Sequence, residues 1–191
     1  MLYDFEQDTS GWGTSEGEYK KAEVASVSNP APSRQGLRSL QIDTIIFGNA
    51  SSQFADVSDK DVYRHTEATV YFDKSRPQSF GNPPYNLQEK KVSCFVFLPN
   101  SLISKDNNLA YIRIFVKDIN FFNSYGEPEY VTSSVTNKWI ELSFVVGQNT
   151  PGSDPDFDPS KVNTLGVRID TSDKSGLVFE DKIYVDNCLI E

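Results

Sequence analysis

The chain has 191 residues, of which 38% are hydrophobic, 13% aromatic and 24% charged, with 18 basic against 27 acidic side chains. That length suits one domain with a packed core. The net charge of -9 opposes nucleic acid or an anionic membrane as partner, since both need a basic footprint. No apolar run reaches the ~18–20 residues of a helical membrane span, and the single His65 excludes a site built from several histidines.

The first residues, Met1-Leu2-Tyr3-Asp4-Phe5-Glu6, have neither the basic start nor the apolar stretch of a signal peptide. The expectation is a module of a longer secreted chain. Thirteen Phe, nine Tyr and one Met are strand-forming usage. Residues 39–42 and 66–72 alternate apolar and polar side chains, while residues 92–98 are apolar on both parities, as in a central strand covered on both sides. Residues 111–117 send Ile112, Ile114 and Val116 one way, and Tyr111, Arg113, Phe115 and Lys117 the other. Ile140, Leu142 and Phe144 share one parity, as do Leu165, Val167 and Ile169, which leaves Gly166, Arg168 and Asp170 outside. Residues 183–189 close the chain. Residues 75–86 and 148–156 read as long loops. Asp158-Pro159-Ser160-Lys161 reads as an N-cap followed by Pro at the first helical position, which predicts one helical turn. No stretch of ten or more residues carries helical periodicity. The prediction is an all-β antiparallel β-sandwich of jelly-roll type, a single domain over residues 1–191. Cys94 and Cys188 form no framework. They pair only if their strands are neighbours in an oxidising compartment, and two buried free thiols are expected.

Three stretches carry a resemblance. Leu2-Tyr3-Asp4-Phe5-Glu6 leads to Gly11-Trp12-Gly13 and then to Gly36-Leu37-Arg38-Ser39-Leu40-Gln41-Ile42. Residues 87–99 (LQEKKVSCFVFLP) are followed by Phe115-Val116-Lys117-Asp118 and Asn137-Lys138-Trp139. Phe157-Asp158-Pro159-Ser160-Lys161-Val162 precedes Leu165-Gly166-Val167-Arg168-Ile169 and Ile183-Tyr184-Val185-Asp186-Asn187. As an ordered set, spanning nearly the whole chain, they resemble the jelly-roll carbohydrate-binding modules attached to secreted β-mannanases and β-glucanases. The resemblance implies a galactose-binding-like sandwich that performs no chemistry. It would tether a covalently linked glycoside hydrolase to a β-linked plant glycan, a β-glucan or β-mannan, outside the cell.

In such a sandwich the first and last strands lie side by side, so Glu6 and Asp186 converge, with Asp4 near. Paired carboxylates repel unless a cation or proton intervenes, and Ca2+ takes ~6–8 oxygen ligands. The resemblance points to a structural Ca2+ at the matching Glu and Asp; the alternative is a pair of solvated strand-end acids.

Neutral polysaccharides are held by aromatic rings packed on the apolar faces of pyranoses and by planar polar groups that bridge hydroxyls. Candidates on outward parities are Tyr111, Arg113, Lys117, Arg168, Asp170 and Tyr71. The densest aromatic segment runs from Phe121 through Tyr125 to Tyr130, and within it Phe122 and Tyr125 stand nearest the family's stacking positions. Tyr19, Trp12 and Tyr63 border the opposite end. Each has a plainer reading: Trp12 as core, Trp139 as rim cover, Arg113 and Arg168 as partners of acids across strands. Which of Phe121 and Phe122 is exposed stays open. There is no Glu-x-Asp-x-Glu strand, GxSxG, HExxH or glycine-rich phosphate loop, so the chain reads as a binder without catalysis. A structural sandwich packed on a neighbouring domain is the alternative, and a glycan-active enzyme stands behind both.

Overall fold

Alternation of apolar and polar side chains decides which face of each strand is buried. In the computed structural model, residues 2–8, 10–14, 24–28, 36–47, 65–72, 82–103, 110–147, 152–171 and 178–191 are described. Their strands are β1 (Leu2–Tyr3), β2 (Gly13–Thr14), β3 (Val24–Ser28), β4 (Arg38–Phe47), β5 (His65–Tyr71), β6 (Lys91–Phe97), β7 (Ala110–Asp118), β8 (Asn123–Tyr125), β9 (Glu129–Tyr130), β10 (Trp139–Val145), β11 (Val162–Thr171) and β12 (Val178–Ile190). One sheet has the order β10-β6-β12-β4-β3, with β1 also on β12; the other has the order β2-β5-β11-β7-β8, with β9 also on β7. Neighbouring strands run antiparallel in both. Each long strand predicted from alternation is present.

The two sheets meet through their apolar parities. Val92 and Val96 of β6, Leu142 of β10, Leu40 and Ile42 of β4, and Val185 of β12 join one cluster with Ala68 and Val70 of β5, Ile112 and Ile114 of β7, and Val167 of β11. β6 is buried at five successive positions, as its double-sided apolar pattern predicts. Trp12 belongs to this core: it is 4% exposed and meets Tyr3 and Phe5 edge-on, at 5.9 and 5.8 Å. This corrects its candidacy as a border of the sugar site. A ring between β1 and β2, flanked by two others, gains more from burial than from water.

Two further expectations change. Cys94 and Cys188 are a disulfide rather than free thiols, with Cα atoms 4.1 Å apart. β6 and β12 are neighbours, and their register shifts between Asp186 and Leu189, which sets Cys188 beside Cys94. The Asp158–Lys161 segment is a turn, and among the described residues the one helical element is a 3-10 turn at Asn100–Leu102. Asp158 accepts from the Ser160 amide at 2.9 Å and the Ser160 hydroxyl at 2.6 Å, and pairs with Lys161 at 2.9 Å. These contacts close an Asx turn that delivers the chain into β11. Hydrogen bonds from Ser160 and then Lys161 hold the Asp158 carboxyl at about 2.

Candidate functional site

The outward parities of β5, β11 and β7 come into register across the second sheet. Asp170 lies between His65 and Tyr111, and Tyr111 faces Tyr130 of β9. One row on, Arg168 lies between Glu67 and Arg113. Gly166 then lies between Thr69 and Phe115, with Tyr125 of β8 beyond. In the last row, Thr164 lies between Tyr71 and Lys117. Gly166 is required here: a Cβ at that position would run into the Phe115 ring and stand 2.9 Å from Thr69. Its absence lets Phe115 lie flat across β11, fully buried on the outer face.

An ion-pair network fills the middle of this face. Arg168 donates from Nε and Nη2 to Asp170 at 2.7–2.9 Å and from Nη1 to Glu67 at 2.9 Å. Lys117 donates to the other oxygen of Glu67 at 2.9 Å. The carboxylate side chains are 5–6% exposed and the cations 12–20%, so these are charges in a low-dielectric setting, held by geometry. Burial acts to lower the Arg168 pKa, but the hydrogen bonds and charge of Asp170 raise it above the ordinary guanidinium value. Burial, with Arg168 next, pushes the His65 imidazole below its usual range. Burial likewise raises the phenols of Tyr111 and Tyr125.

The predicted residues are thus brought together in part. Arg113, Lys117, Arg168, Asp170 and Tyr111 share the outer face, with Tyr71 exposed at its edge. Tyr125 shares it as well, but as a buried ring, 6% exposed, with the Arg113 guanidinium carbon 3.7 Å from its centroid. It is a support for the arginine, which corrects the expectation of an open stacking platform. The physical cause lies in residues 152–154, which fold against β8: Ser153 accepts from the Tyr125 amide and Asp154 from the Asn123 amide. Of the adjacent pair, Phe121 is exposed (61%), at positive φ in the turn after β7, and Phe122 is half-buried. Tyr19 and Tyr63 lie outside the described residues. Sequence reading left out Glu67, which bridges Lys117 and Arg168; Tyr130, read as the end of the aromatic segment, is 49% exposed beside Tyr111. Glu67 carried the same outward parity as Tyr71, the signal that could have found it.

In the other sheet, β1 pairs with the end of the central strand β12, and β4 pairs with β12 up to Val185. Glu6 and Asp186 flank that junction. The Glu6 carboxylate accepts from the amides of Leu37 (2.9 Å) and Arg38 (3.0 Å), against Gly36 at positive φ. Asp186 is wholly buried and accepts from the Asn187 amide at 2.8 Å. Asp4 is exposed and accepts from the Glu6 amide at 3.3 Å. The donors are all oxygen, which suits a hard cation, yet among the described residues no three acidic, His or Cys side chains gather as a metal cluster.

Comparison with known proteins identifies the architecture. No family model matches the chain, and no curated protein does. Solved structures match over its full length. The CBM22-1 xylan-binding domain of Xyn10C from Paenibacillus barcinonensis is 17% identical, with a TM-score of 0.52 and 92% of that domain covered. Its fold is theirs. The CBM22-1-GH10 modules of xylanase Xyn10B from Clostridium thermocellum, solved with xylohexaose, are 16% identical, with a TM-score of 0.53 and 27% of that chain covered. The K3 adhesin domain of Lys-gingipain from Porphyromonas gingivalis is 9% identical, with a TM-score of 0.54 and 97% covered. The chain therefore has the β-sandwich fold shared by xylan-binding modules and at least one adhesin domain, and its ligand has to be argued from its own residues.

Proposed function

We propose that this chain is a non-catalytic polysaccharide-binding module whose site is the outer face of β5, β11 and β7. The observation that carries the reading is the arrangement there. An ion-paired floor of Glu67, Arg168, Asp170 and Lys117 lies between exposed tyrosines, Tyr71 at one end and Tyr130 at the other. Six residues of β11 separate the two ends, roughly 20 Å at strand rise, a length that accepts several sugar rings. Xylan is the first ligand to test because two of the matching structures carry that ligand or a xylo-oligosaccharide in their names. β-Glucan and β-mannan, the glycans implied by the sequence resemblance, are the competing candidates. The module would tether a linked glycoside hydrolase by raising effective substrate concentration. The Cys94–Cys188 disulfide supports an oxidising, extracellular setting. A structural Ca2+ held by Glu6 and Asp186 is part of the same proposal, supported by two carboxylates at the β12 junction. EDTA would then lower the melting temperature, and an unchanged one removes the ion.

Affinity electrophoresis against soluble xylan, β-glucan and β-mannan tests the reading: retardation by one of them is expected. Retardation by none favours a second reading, in which the chain packs on a neighbouring domain. That reading is favoured by the half-buried rings Phe97, Trp139 and Tyr184 on the outer face of the first sheet. Reducing-sugar release on prolonged incubation would instead mark an enzyme.

A further inference from the structure

Charge on the outer face of the second sheet does not balance among its described residues. Glu67 gives one oxygen to Arg168 and the other to Lys117, and both oxygens of Asp170 go to Arg168. His65, across from Asp170, is held towards its neutral form by burial and by Arg168. Three cations therefore face two anions, and the cation left over is Arg113. Its Nε is buried with no hydrogen-bond partner, and the nearest carboxylate oxygen, Asp170 Oδ2, stands 3.7 Å away, too far for a hydrogen bond.

The same side chain is nonetheless tightly placed. The Tyr125 ring lies 3.7 Å beneath the guanidinium carbon, Tyr111 flanks it at 5.6 Å, and a Cβ at Gly152 would come within 3.2 Å of Nη1. A glycine at that point lets the loop pass without covering the arginine further. Burying a guanidinium without acceptors costs stability, and the ring contact offsets only part of that cost. A fixed, planar donor group with unspent hydrogen bonds is arranged for an anion supplied from outside, and its fork matches a carboxylate.

We infer that Arg113 anchors the carboxylate of a uronic acid residue, so that the polysaccharide recognised is an acidic one. This rests on the reading of the face as a glycan site and names the ligand class within it. A neutral glycan offers the arginine hydroxyl acceptors but no charge to balance its guanidinium. Elsewhere the chain, at net -9, repels a polyanion, so attraction is confined to the substituent beside Arg113.

The test is binding of the intact protein to glucuronoxylan and to the same polymer after chemical reduction of its carboxyl groups, at low and at moderate NaCl. The acidic polymer is expected to bind on the order of tenfold tighter, with the gap narrowing as salt rises. Arg113→Gln should collapse the ratio between the two polymers, and Arg113→Lys should restore it only in part, since an ammonium lacks the planar fork. Equal affinity of the native protein for both polymers overturns the carboxylate assignment and leaves the module reading standing. A ratio unchanged in a folded Arg113→Gln protein overturns the role of this residue. Retention of a sulfated glycan in place of the uronate overturns the ligand class, and retention of no glycan overturns both readings. Should the variants not fold, carboxyl reduction and salt dependence on the native protein still decide.

Discussion

Across β5, β11 and β7 the outward side chains are Glu67, Arg168, Asp170 and Lys117, tied by ion pairs at 2.7–2.9 Å. Across β10, β6 and β12 they include Trp139, Phe97 and Tyr184, meeting edge-on at 5.8 and 6.2 Å, beside an exposed Lys91–Glu141 pair. Both faces come from the same two-residue alternation, but they impose different constraints. Ion pairs are directional and commit each carboxylate to named donors, so the second sheet presents oriented polar groups beside accessible tyrosines. The rings of the first sheet stand at 61° and 72° to one another. They pack edge against face on one another and carry no hydrogen-bonding fork. Oriented hydrogen-bonding groups are what discriminate one sugar from another, and for that reason the site is assigned to the second sheet.

The contrast predicts unequal responses to mutation. The largest concerns the first sheet's staple: replacing Cys94 and Cys188 together by Ala opens a link that spans 94 residues of chain and should cost about 2–5 kcal/mol. Denaturant unfolding reads it, and the glycan ratio described above should stay unchanged in the folded fraction. Glu67→Ala comes next, at about 3 kcal/mol, because it leaves Lys117 and one arm of Arg168 buried without their carboxylate. On the other face Trp139→Ala should cost about 1 kcal/mol, and equal costs would erase the proposed difference between the faces.

Tyr71→Ala and Tyr130→Ala remove exposed rings, so stability should move by less than about 0.5 kcal/mol, while retention by the bound glycan weakens. Trp139→Ala should leave retention unaltered; the opposite pattern would move the site to the first sheet. The smallest effect is a pH dependence. His65 has its folded pKa lowered by burial, so its contribution is complete above about 6.5, the unfolded value, and is lost as pH falls below it, where the unfolded chain binds the proton more readily. A His65→Gln variant should show a flatter stability profile as pH falls below about 6.5.

Parity of the long strands was legible in the chain alone. Ile112, Ile114 and Val116 are buried, and Arg113, Lys117, Arg168 and Tyr71 point outward, because the pleat allows each residue only one of two sides. Side-chain type along a strand reports that choice directly. Neighbours across strands were not legible. Glu67 and Arg168 lie 101 residues apart, and Cys94 and Cys188 lie 94 apart. Their meeting depends on strand order and on the register shift in β12, which no local pattern encodes. The same holds for burial on the outer face: Tyr125 and Phe115 have outward parity, yet the packing of residues 152–154 against β8 and the missing Cβ of Gly166 enclose them. Local alternation follows from backbone geometry within a few residues, whereas pairing, the left-over charge on Arg113 and the covering of the tyrosine beneath it are set by contacts between distant segments, and only the folded chain brings those together.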